Sequence, residues 1–252
     1  MNAASRVIIT IMSVLTIAAI LAGLYIHVFG KKQLFIDGAV SVSDTVNLDG
    51  KVDEISVDMD YADLSIETGD DFSVEYNLPD KPQIDLQNGK LTVKSKVSVP
   101  FNGFNMKPGY KIEVVIPEGS DLKNLDLEMD AGKVSVEGIR TKKFRIHSDA
   151  GDIDLDDIKA DAFEIDTDAG NIEINELETE KMKVDADAGN LKVKDSTIDS
   201  LDAHIDAGNI EVHDSTVNSG SCKTDFGNVS LNGNIGDVRV KSSVGNAEIN
   251  GK

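Results

Sequence analysis

Several features that are common in enzymes and in secreted domains are absent from this sequence. It contains no tryptophan, one cysteine and only 5% aromatic residues among its 252 residues. A single cysteine excludes an internal disulfide, and the four histidines lack the spacing of metal ligands. No glycine-rich phosphate loop or nucleophile elbow is present. We therefore expect no catalytic residues, no cofactor and no enzymatic activity; a polysaccharide-acting enzyme with paired carboxylates is the weakest alternative.

Positive charge is also scarce. The formal net charge is −20, from 25 basic and 45 acidic residues. Positions 1–32 hold three basic and no acidic side chains, so the rest of the chain has 22 basic against 45 acidic residues, a net charge of −23. Such a surface repels polyanions unless cations bridge the two. We therefore exclude nucleic acid and anionic lipid headgroups as expected partners.

The tripeptide Asp-Ala-Gly, with small variations, returns at a fixed spacing. Its glycines are 19 residues apart, with a last step of 18: Gly132, Gly151, Gly170, Gly189, Gly208, Gly227 and Gly245. A period near 20 residues is typical of stacked coils and not of a globular domain.

Apolar and polar residues alternate on both sides of each glycine. In the second coil the positions that face one side are Phe144, Ile146, Ser148, Ala150, Ile153 and Leu155. This alternation predicts two short strands joined by a bend, with one apolar face per coil. Stacking the coils in parallel buries these faces in one core. The predicted fold is therefore all-β, a parallel β-solenoid (β-helix-like) on the order of 30 Å long at ~4.8 Å per coil.

The outward positions support stacking independently. Six residues before the glycines, the charge reverses sign from one coil to the next: Asp126, Arg145, Glu164, Lys183 and Asp202. In a stack, equivalent positions are neighbours about 5 Å apart. Opposite charges would then meet at each step, so the pattern favours coils in register.

The lone cysteine, Cys222, falls in the inward column of Ile146, Ile165 and Val184. A thiol in this column would lie in the predicted core. We therefore expect a buried, structural cysteine and not a reactive one.

Aspartates form the sharpest chemical feature of the repeat. Six of them stand two residues before a glycine: Asp130, Asp149, Asp168, Asp187, Asp206 and Asp225. Carboxylates about 5 Å apart repel by roughly 1 kcal/mol in water, so their charges must be offset. The interpretation that we favour is local, with each carboxylate accepting backbone N–H groups in its own bend while the glycine supplies positive φ. The alternative is a row of Ca²⁺ ions, which makes these aspartates weak metal candidates.

Asparagines follow five of the glycines directly: Asn171, Asn190, Asn209, Asn228 and Asn246. Stacked amides can bond to one another along a rod. The column therefore predicts an amide ladder with a structural role.

Residues 7–29 predict a membrane anchor. The run from Val7 to Phe29 has no charge and is bounded by Arg6 and by Lys31 and Lys32. It is long enough to span a bilayer as one helix; a cleavable signal peptide is the alternative, although no small-x-small site precedes the polar region. Charges at both ends leave the orientation open, and an N-in anchor is the commoner arrangement. We expect a single-pass protein of the cell membrane with its main domain on the extracytoplasmic side.

The remaining chain is strand-rich throughout. Between the anchor and the repeats, the segment around Ile55 to Ile66 fits the repeat template with Ala62 at the glycine position. We divide the chain into a short tail, the transmembrane helix, a linker with the first strands, an irregular β region that caps the solenoid, and the regular repeats: 1–6, 7–29, 30–50, 51–120 and 121–252.

Aromatic residues cluster in the loop from Pro100 to Tyr110. Phe101, Phe104 and Tyr110 are three of only 12 aromatic residues in the chain. One interpretation is an apolar patch that contacts a partner. The other is that these rings pack over the end of the core.

This sequence resembles a bacterial family in three features. They are the predicted anchor, the strand that ends in Val114-Val115-Ile116-Pro117-Glu118-Gly119, and the repeated pattern Asp-Ala-Gly-Asn-Ile-Glu-Ile. This family is the putative-adhesin family of β-strand repeat proteins of unknown function, which includes LiaG-like proteins encoded near cell-envelope stress regulators. The resemblance covers roughly residues 50–250. It implies a membrane-tethered, extracytoplasmic β-solenoid, and it offers no established catalytic residues.

We therefore expect a binding or scaffold module in the cell-envelope stress response, with a protein or an envelope component as partner. A surface adhesin or glycan-binding protein is the alternative. Specificity is expected where the repeat is broken, at the aromatic loop and at the C-terminal coil ending Asn250-Gly251-Lys252. The open strand edge of that coil could pair with a second copy or with a partner protein.

Overall fold

The computed structural model describes residues 41–96 and 109–250. All regular elements within these two ranges are β-strands. Neither range contains a helix with the length and apolar character needed to cross a bilayer. The predicted anchor at 7–29 lies outside the described residues, as do Gly251 and Lys252 at the end of the last coil.

The strands are numbered in chain order. They are β1 (Val42–Asn47), β2 (Glu54–Tyr61), β3 (Asp63–Gly69), β4 (Ser73–Leu78), β5 (Gln83–Gln87), β6 (Lys90–Ser95), β7 (Lys111–Pro117), β8 (Asp121–Leu122), β9 (Asn124–Ala131), β10 (Val134–Glu137), β11 (Arg140–Ala150), β12 (Ile153–Ala169), β13 (Ile172–Ala188), β14 (Leu191–Lys194), β15 (Thr197–Ala207), β16 (Ile210–Phe226), β17 (Val229–Val244) and β18 (Ala247–Ile249).

Strands β9 to β18 form a parallel stack. Phe163 of β12 lies beside Met182 of β13, and Ile165 lies beside Val184, so that each residue pairs with its equivalent one repeat later. The same offset joins β13 to β15 and β15 to β16. The last offset is shorter by one position because β16 and β17 change register between Val212 and Ser215. The predicted all-β parallel solenoid is confirmed.

Each coil has three runs of inward residues, where the sequence predicted two. In β12 the buried side chains are Ile153 and Leu155, then Ile158 and Ala160, then Phe163, Ile165 and Thr167. The first interruption falls at Asp157, whose φ of 47° is left-handed. The prediction of one bend per coil was wrong, since a second and a third change of direction give each coil three sides.

The Ala-Gly bend explains why glycine recurs. Gly170 has a φ of 149°, a conformation that residues with a Cβ rarely adopt. A Cβ on Gly170 would also collide with the carbonyl of Gly151 in the preceding coil. Backbone conformation and close stacking therefore both require glycine; the sequence predicted the positive φ but not the close approach.

The core is continuous along the stack. Phe144 and Phe163 pack edge to face in adjacent coils, with ring centroids 5.3 Å apart. Cys222 is fully buried, and this burial raises the pKa of its thiol to about 12. The prediction of an inert, buried cysteine is confirmed.

Strands before β9 extend the stack toward its N-terminal end. β2 pairs in parallel with β9, and β3 with β10. On the other side of this coil lie the parallel strands β6 and β7. Three antiparallel strands follow, with β5 on β6, β4 on β7 and β1 on β4. These strands cover the N-terminal end of the repeats.

Candidate functional site

Outward charges alternate between coils as predicted. Arg145 Nη1 lies 3.6 Å from Asp126 Oδ1, and its Nε lies 3.7 Å from Glu164 Oε2. Lys183 Nζ lies 3.6 Å from the other oxygen of Glu164. These side chains are about half exposed, and exposed ion pairs contribute only about 0.2–1 kcal/mol each. These ion pairs therefore contribute more to the register of neighbouring strands than to the stability of the fold.

The asparagine ladder is also confirmed. Asn171 Oδ1 accepts hydrogen bonds from the backbone N–H and the side-chain amide of Asn190, at 3.3 and 2.9 Å. Asn190 Oδ1 accepts the same two hydrogen bonds from Asn209, and Asn209 Oδ1 accepts them from Asn228. Bend N–H groups are thus satisfied by the column that follows the glycines.

The aspartate column behaves differently from our expectation. Among the described residues, none of its six carboxylates accepts a backbone N–H of its own bend. Instead Asp225 Oδ1 accepts hydrogen bonds from Lys223 Nζ at 3.0 Å and from Ser243 Oγ at 3.3 Å. Asp149 lies 3.6 Å from His147 Nε2. The predicted local bonding was wrong because neighbouring coils and the asparagine column already take those donors.

Two of the weak metal candidates come together with a histidine. Ligand atoms of His204, Asp206 and Asp225 lie within 4.8 Å of one another. However, Lys223 Nζ lies 3.2 Å from His204 Nε2 and 3.0 Å from Asp225 Oδ1. This ammonium group already supplies the cation of the cluster, so the residues do not fit a metal ion well.

The other four aspartates of the column form no such cluster within the described ranges: Asp130, Asp149, Asp168 and Asp187. At one end of the column, burial raises the pKa of the Asp130 carboxyl, and the carboxylates of Asp60 and Asp149 raise it further. At this end Asp149, the next carboxylate of the column, is therefore one of several causes that disfavour the ionised form of Asp130. At the other end the Lys223 ammonium lowers the pKa of Asp225.

The aromatic loop is only partly described. Tyr110 is buried and packs edge to face against Tyr61, with ring centroids 6.3 Å apart. This residue therefore belongs to the core rather than to an exposed patch. Phe101 and Phe104 lie outside the described residues, so their role in partner contact stays a prediction.

An apolar surface near the C-terminal end was not predicted, because the position directly before each glycine was expected to face inward and instead faces outward. Five coils carry alanine directly before the glycine: Ala131, Ala150, Ala169, Ala188 and Ala207. The next two carry Phe226 and Val244, which lie in register with each other and are each 60% exposed. The signal was available as the change from Asp-Ala-Gly to Asp-Phe-Gly.

The last coil adds a third exposed apolar side chain. Ile249 is 40% exposed, whereas its neighbour in the same inward column, Leu231, is fully buried. Leu231 is covered by the next strand, and nothing among the described residues covers Ile249. We call Phe226, Val244 and Ile249 the C-terminal patch.

Comparison with known proteins identifies the family. The sequence profile described as Toastrack DUF4097 matches residues 52–250. The chain belongs to the Toastrack DUF4097 family. This match confirms the resemblance to a putative-adhesin family of β-strand repeat proteins whose function is unknown. A comparison with curated proteins finds no match.

Three solved structures are similar to this chain to different degrees. A protein from Parabacteroides distasonis described as a putative lipid binding protein is 19% identical, with 84% of this chain and 96% of that chain covered and a TM-score of 0.56. A putative adhesin from Bacteroides fragilis is 15% identical, with 84% and 98% coverage and a TM-score of 0.49. A putative cell adhesion protein from Clostridium sporogenes is 7% identical, with 84% and 100% coverage and a TM-score of 0.29. At such identities the likeness concerns the fold alone.

The described part of this Toastrack chain offers surfaces rather than a catalytic arrangement. The described histidines lie beside carboxylates, and His204 also lies beside the Lys223 ammonium, which is paired with Asp225. The one thiol of the chain is buried with a pKa of about 12, so it is protonated at neutral pH. The arrangement is suited to binding.

Proposed function

We propose that this Toastrack protein is a binding module of the cell envelope. In this proposal residues 7–29 tether it to the cell membrane, and the solenoid lies on the extracytoplasmic side, where it holds a protein or an envelope component during envelope stress. The charge-free run from Val7 to Phe29 and the net charge of −23 in the chain that follows support this arrangement.

The observation that carries the binding role is the C-terminal patch. An aromatic ring that is 60% exposed replaces the alanine that five preceding coils carry at this position. Phe226 and Val244 are register neighbours, and exposed apolar groups that adjoin one another commonly mark interaction sites. Aromatic side chains also supply much of the binding energy in protein interfaces.

The neighbouring edge of the last coil is a second contact surface in this proposal. Either a second copy of the chain or a different protein could cover it. Contact through the aromatic loop, at Phe101 and Phe104, is the further candidate that the sequence offers.

The test is photo-crosslinking in membranes with the full chain and with Phe226→Ala. This change restores the residue of five other coils and removes an exposed ring, so the fold should tolerate it. We expect the yield of one defined crosslinked partner to fall at least tenfold, the effect of losing about 1.4 kcal/mol of binding free energy. Val42→Ala is the matched control, because Val42 is an exposed apolar residue at the N-terminal end, 38% exposed.

Equal yields from the wild type and from Phe226→Ala would contradict a binding role for the patch. If deletion of the loop 100–110 abolishes the crosslink instead, the aromatic loop is the contact. An adhesin would bind intact cells or glycans and keep that binding in both variants. Protease treatment of intact cells tests the topology, since only an extracytoplasmic solenoid would be cleaved.

A further inference from the structure

We propose that the edge of the C-terminal coil accepts an extended segment of a partner protein, in which apolar and acidic residues alternate, as one additional β-strand. This inference rests on the proposed binding role and states the chemistry of the partner. Three properties of the last coil support it: an incompletely covered core, an unpaired strand edge and two outward positive charges.

The core is incompletely covered at this end, although Val238 is buried. Ile235 and Val240 are only partly buried, Ala247 is exposed, and Ile249 is 40% exposed. Their partners in the preceding coil are all fully buried: Val217, Cys222, Val229 and Leu231. Only the next strand is missing. A segment with apolar side chains at alternate positions would complete this cover.

The backbone edge is unpaired as well. From Gly233 to Val244, β17 bonds to β16 on one side. No strand in the described part of the chain pairs with its other side. Its free N–H and C=O groups can therefore bind an extended segment by strand addition, a common mode of peptide recognition.

Charge on this edge selects the partner. Arg239 and Lys241 point outward from the last strand and are exposed, in a chain whose net charge is −20. Elsewhere in the column of Arg239, a basic side chain lies between two acidic ones, as Arg145 does. A carboxylate opposite Arg239 would continue this alternation. A carboxylate opposite Lys241 would add an opposite charge beside Lys241 and Lys223, which are register neighbours.

The chain itself contains a strand of this type. Residues 125–129 read Leu-Asp-Leu-Glu-Met, with the apolar side chains inward. Asp126 stands in the column of Arg239, and Glu128 stands in the column of Lys241. The sequence therefore supplies a probe whose pattern matches the proposed partner.

The same charges disfavour a second copy as the occupant in one pairing register. A two-fold pairing of the last strand about Val238 would place Arg239 opposite Asp237 of the other copy, but a pairing about Val240 places Arg239 opposite Lys241. Like charges would then meet twice at the contact, which destabilises a strand pair. A different protein with acidic side chains avoids this repulsion.

The experiment measures fluorescence anisotropy with the full chain in detergent micelles. The probes are a fluorescein-labelled peptide of residues 124–131 and the same peptide with lysine in place of Asp126 and Glu128. We expect the acidic peptide to bind at least tenfold more tightly than the lysine peptide. In R239E/K241E this preference should reverse. The matched control is K142E/K143E, an equal charge reversal at exposed lysines in the second coil, which should keep the wild-type preference.

Each other outcome overturns the inference. If neither peptide binds, Arg239 and Lys241 are charges that keep an edge strand from pairing. If both double variants reverse the preference, the attraction is not specific to the edge. If the full chain alone sediments as a dimer and R239E/K241E does not, a second copy is the occupant. Protection of Cys222 from thiol reagents verifies that each variant is folded.

The outcome is separable from that of the binding proposal. Crosslinking that depends on Phe226 can persist when no peptide binds, and then only the strand-addition inference fails. Conversely, the acidic peptide could bind while crosslinking does not depend on Phe226. The C-terminal patch would then have no part in the proposed function, and the strand edge would be the binding site.

Discussion

The two ends of the solenoid are built in different ways. At the N-terminal end, antiparallel strands β1, β4 and β5 lie over the stack, and the inward residues Val74 and Leu91 are fully buried. At the C-terminal end no strand follows β18 among the described residues, and Ile249, at the same type of inward position, is 40% exposed. A repeat can specify its own interior because each coil covers the next. An end needs a separate sequence or a partner, and only the N-terminal end has such a sequence among the described residues.

We expect a buried charge to give the largest difference in stability between the interior of the solenoid and its C-terminal coil. Leu231→Asp would place a carboxylate in the covered core and should lower the free energy of unfolding by about 4 kcal/mol or more. Ile249→Asp, one strand further in the same column, should cost less than about 1 kcal/mol because water reaches that position. Urea unfolding of both variants measures the difference. Equal costs would show that the last coil is covered in solution.

Glycine substitution tests the same comparison at the bend. A Cβ at Gly170 or at Gly245 would meet the carbonyl of the preceding coil, but only Gly170 has another coil on its other side. We expect Gly170→Ala to cost about 3 kcal/mol and Gly245→Ala about 1 kcal/mol, since the end coil can move away. Thermal unfolding reports both. If Gly245→Ala lost more stability than Gly170→Ala, the expectation that the C-terminal coil can move away would be contradicted.

Buried hydroxyl groups allow a matched test with opposite signs. Thr167 Oγ1, in the middle of the stack, is buried without a hydrogen-bond partner, whereas Thr224 Oγ1, near the end, donates to the carbonyl of Gly208 at 2.9 Å. Thr167→Val should raise the free energy of unfolding by about 1 kcal/mol, and Thr224→Val should lower it by about 1 kcal/mol. Denaturant titration measures both changes. Destabilisation by Thr167→Val would mean that its hydroxyl is bonded in solution.

The smallest expected effect concerns the two ends of the aspartate column. The pKa of Asp130 is raised, chiefly by burial, so ionisation of this carboxyl costs stability as the pH rises through its titration range. Asp130→Asn should therefore stabilise by about 0.3 kcal/mol at neutral pH, and the gain should vanish in acid.

Ionisation of Asp225 has the opposite effect on stability from ionisation of Asp130. The Lys223 ammonium lowers its pKa, so its contribution is present above the pKa of the unfolded chain and is lost as the pH falls through the folded pKa. Asp225→Asn should destabilise slightly at neutral pH and have no effect in strong acid. Unfolding at a series of pH values checks both variants, and the same sign for both would refute the contrast.

Sequence reasoning was strongest where a residue has one physical role that repeats. Gly170 and Cys222 could be placed because spacing alone assigns them to a bend and to the core. The corner at Asp157 was missed because non-glycine residues there adopt positive φ, and the only signal was a gap in alternation between Leu155 and Ile158. Alternation is also blind to strand direction, so it could not show that β1 and β4 run antiparallel.

The candidate site was harder to predict for a different reason. The six aspartates are conspicuous because they recur at a fixed spacing, but this column is structural. Phe226, by contrast, departs from the repeat in one coil only. Hydrogen bonding in the bends depends on donors from adjacent coils, and these could not be assigned before the register was known. Phe101 and Phe104 remain predictions from composition alone.

The constant rise of the stack has a mechanical consequence. Because the backbone bonds between coils run along the rod, a pull on the C-terminal end loads one coil interface at a time. Each coil that peels away would release about 65 Å of extended chain. The solenoid should therefore lengthen under force in equal steps that begin at its uncovered end, and the antiparallel strands at the opposite end should yield last.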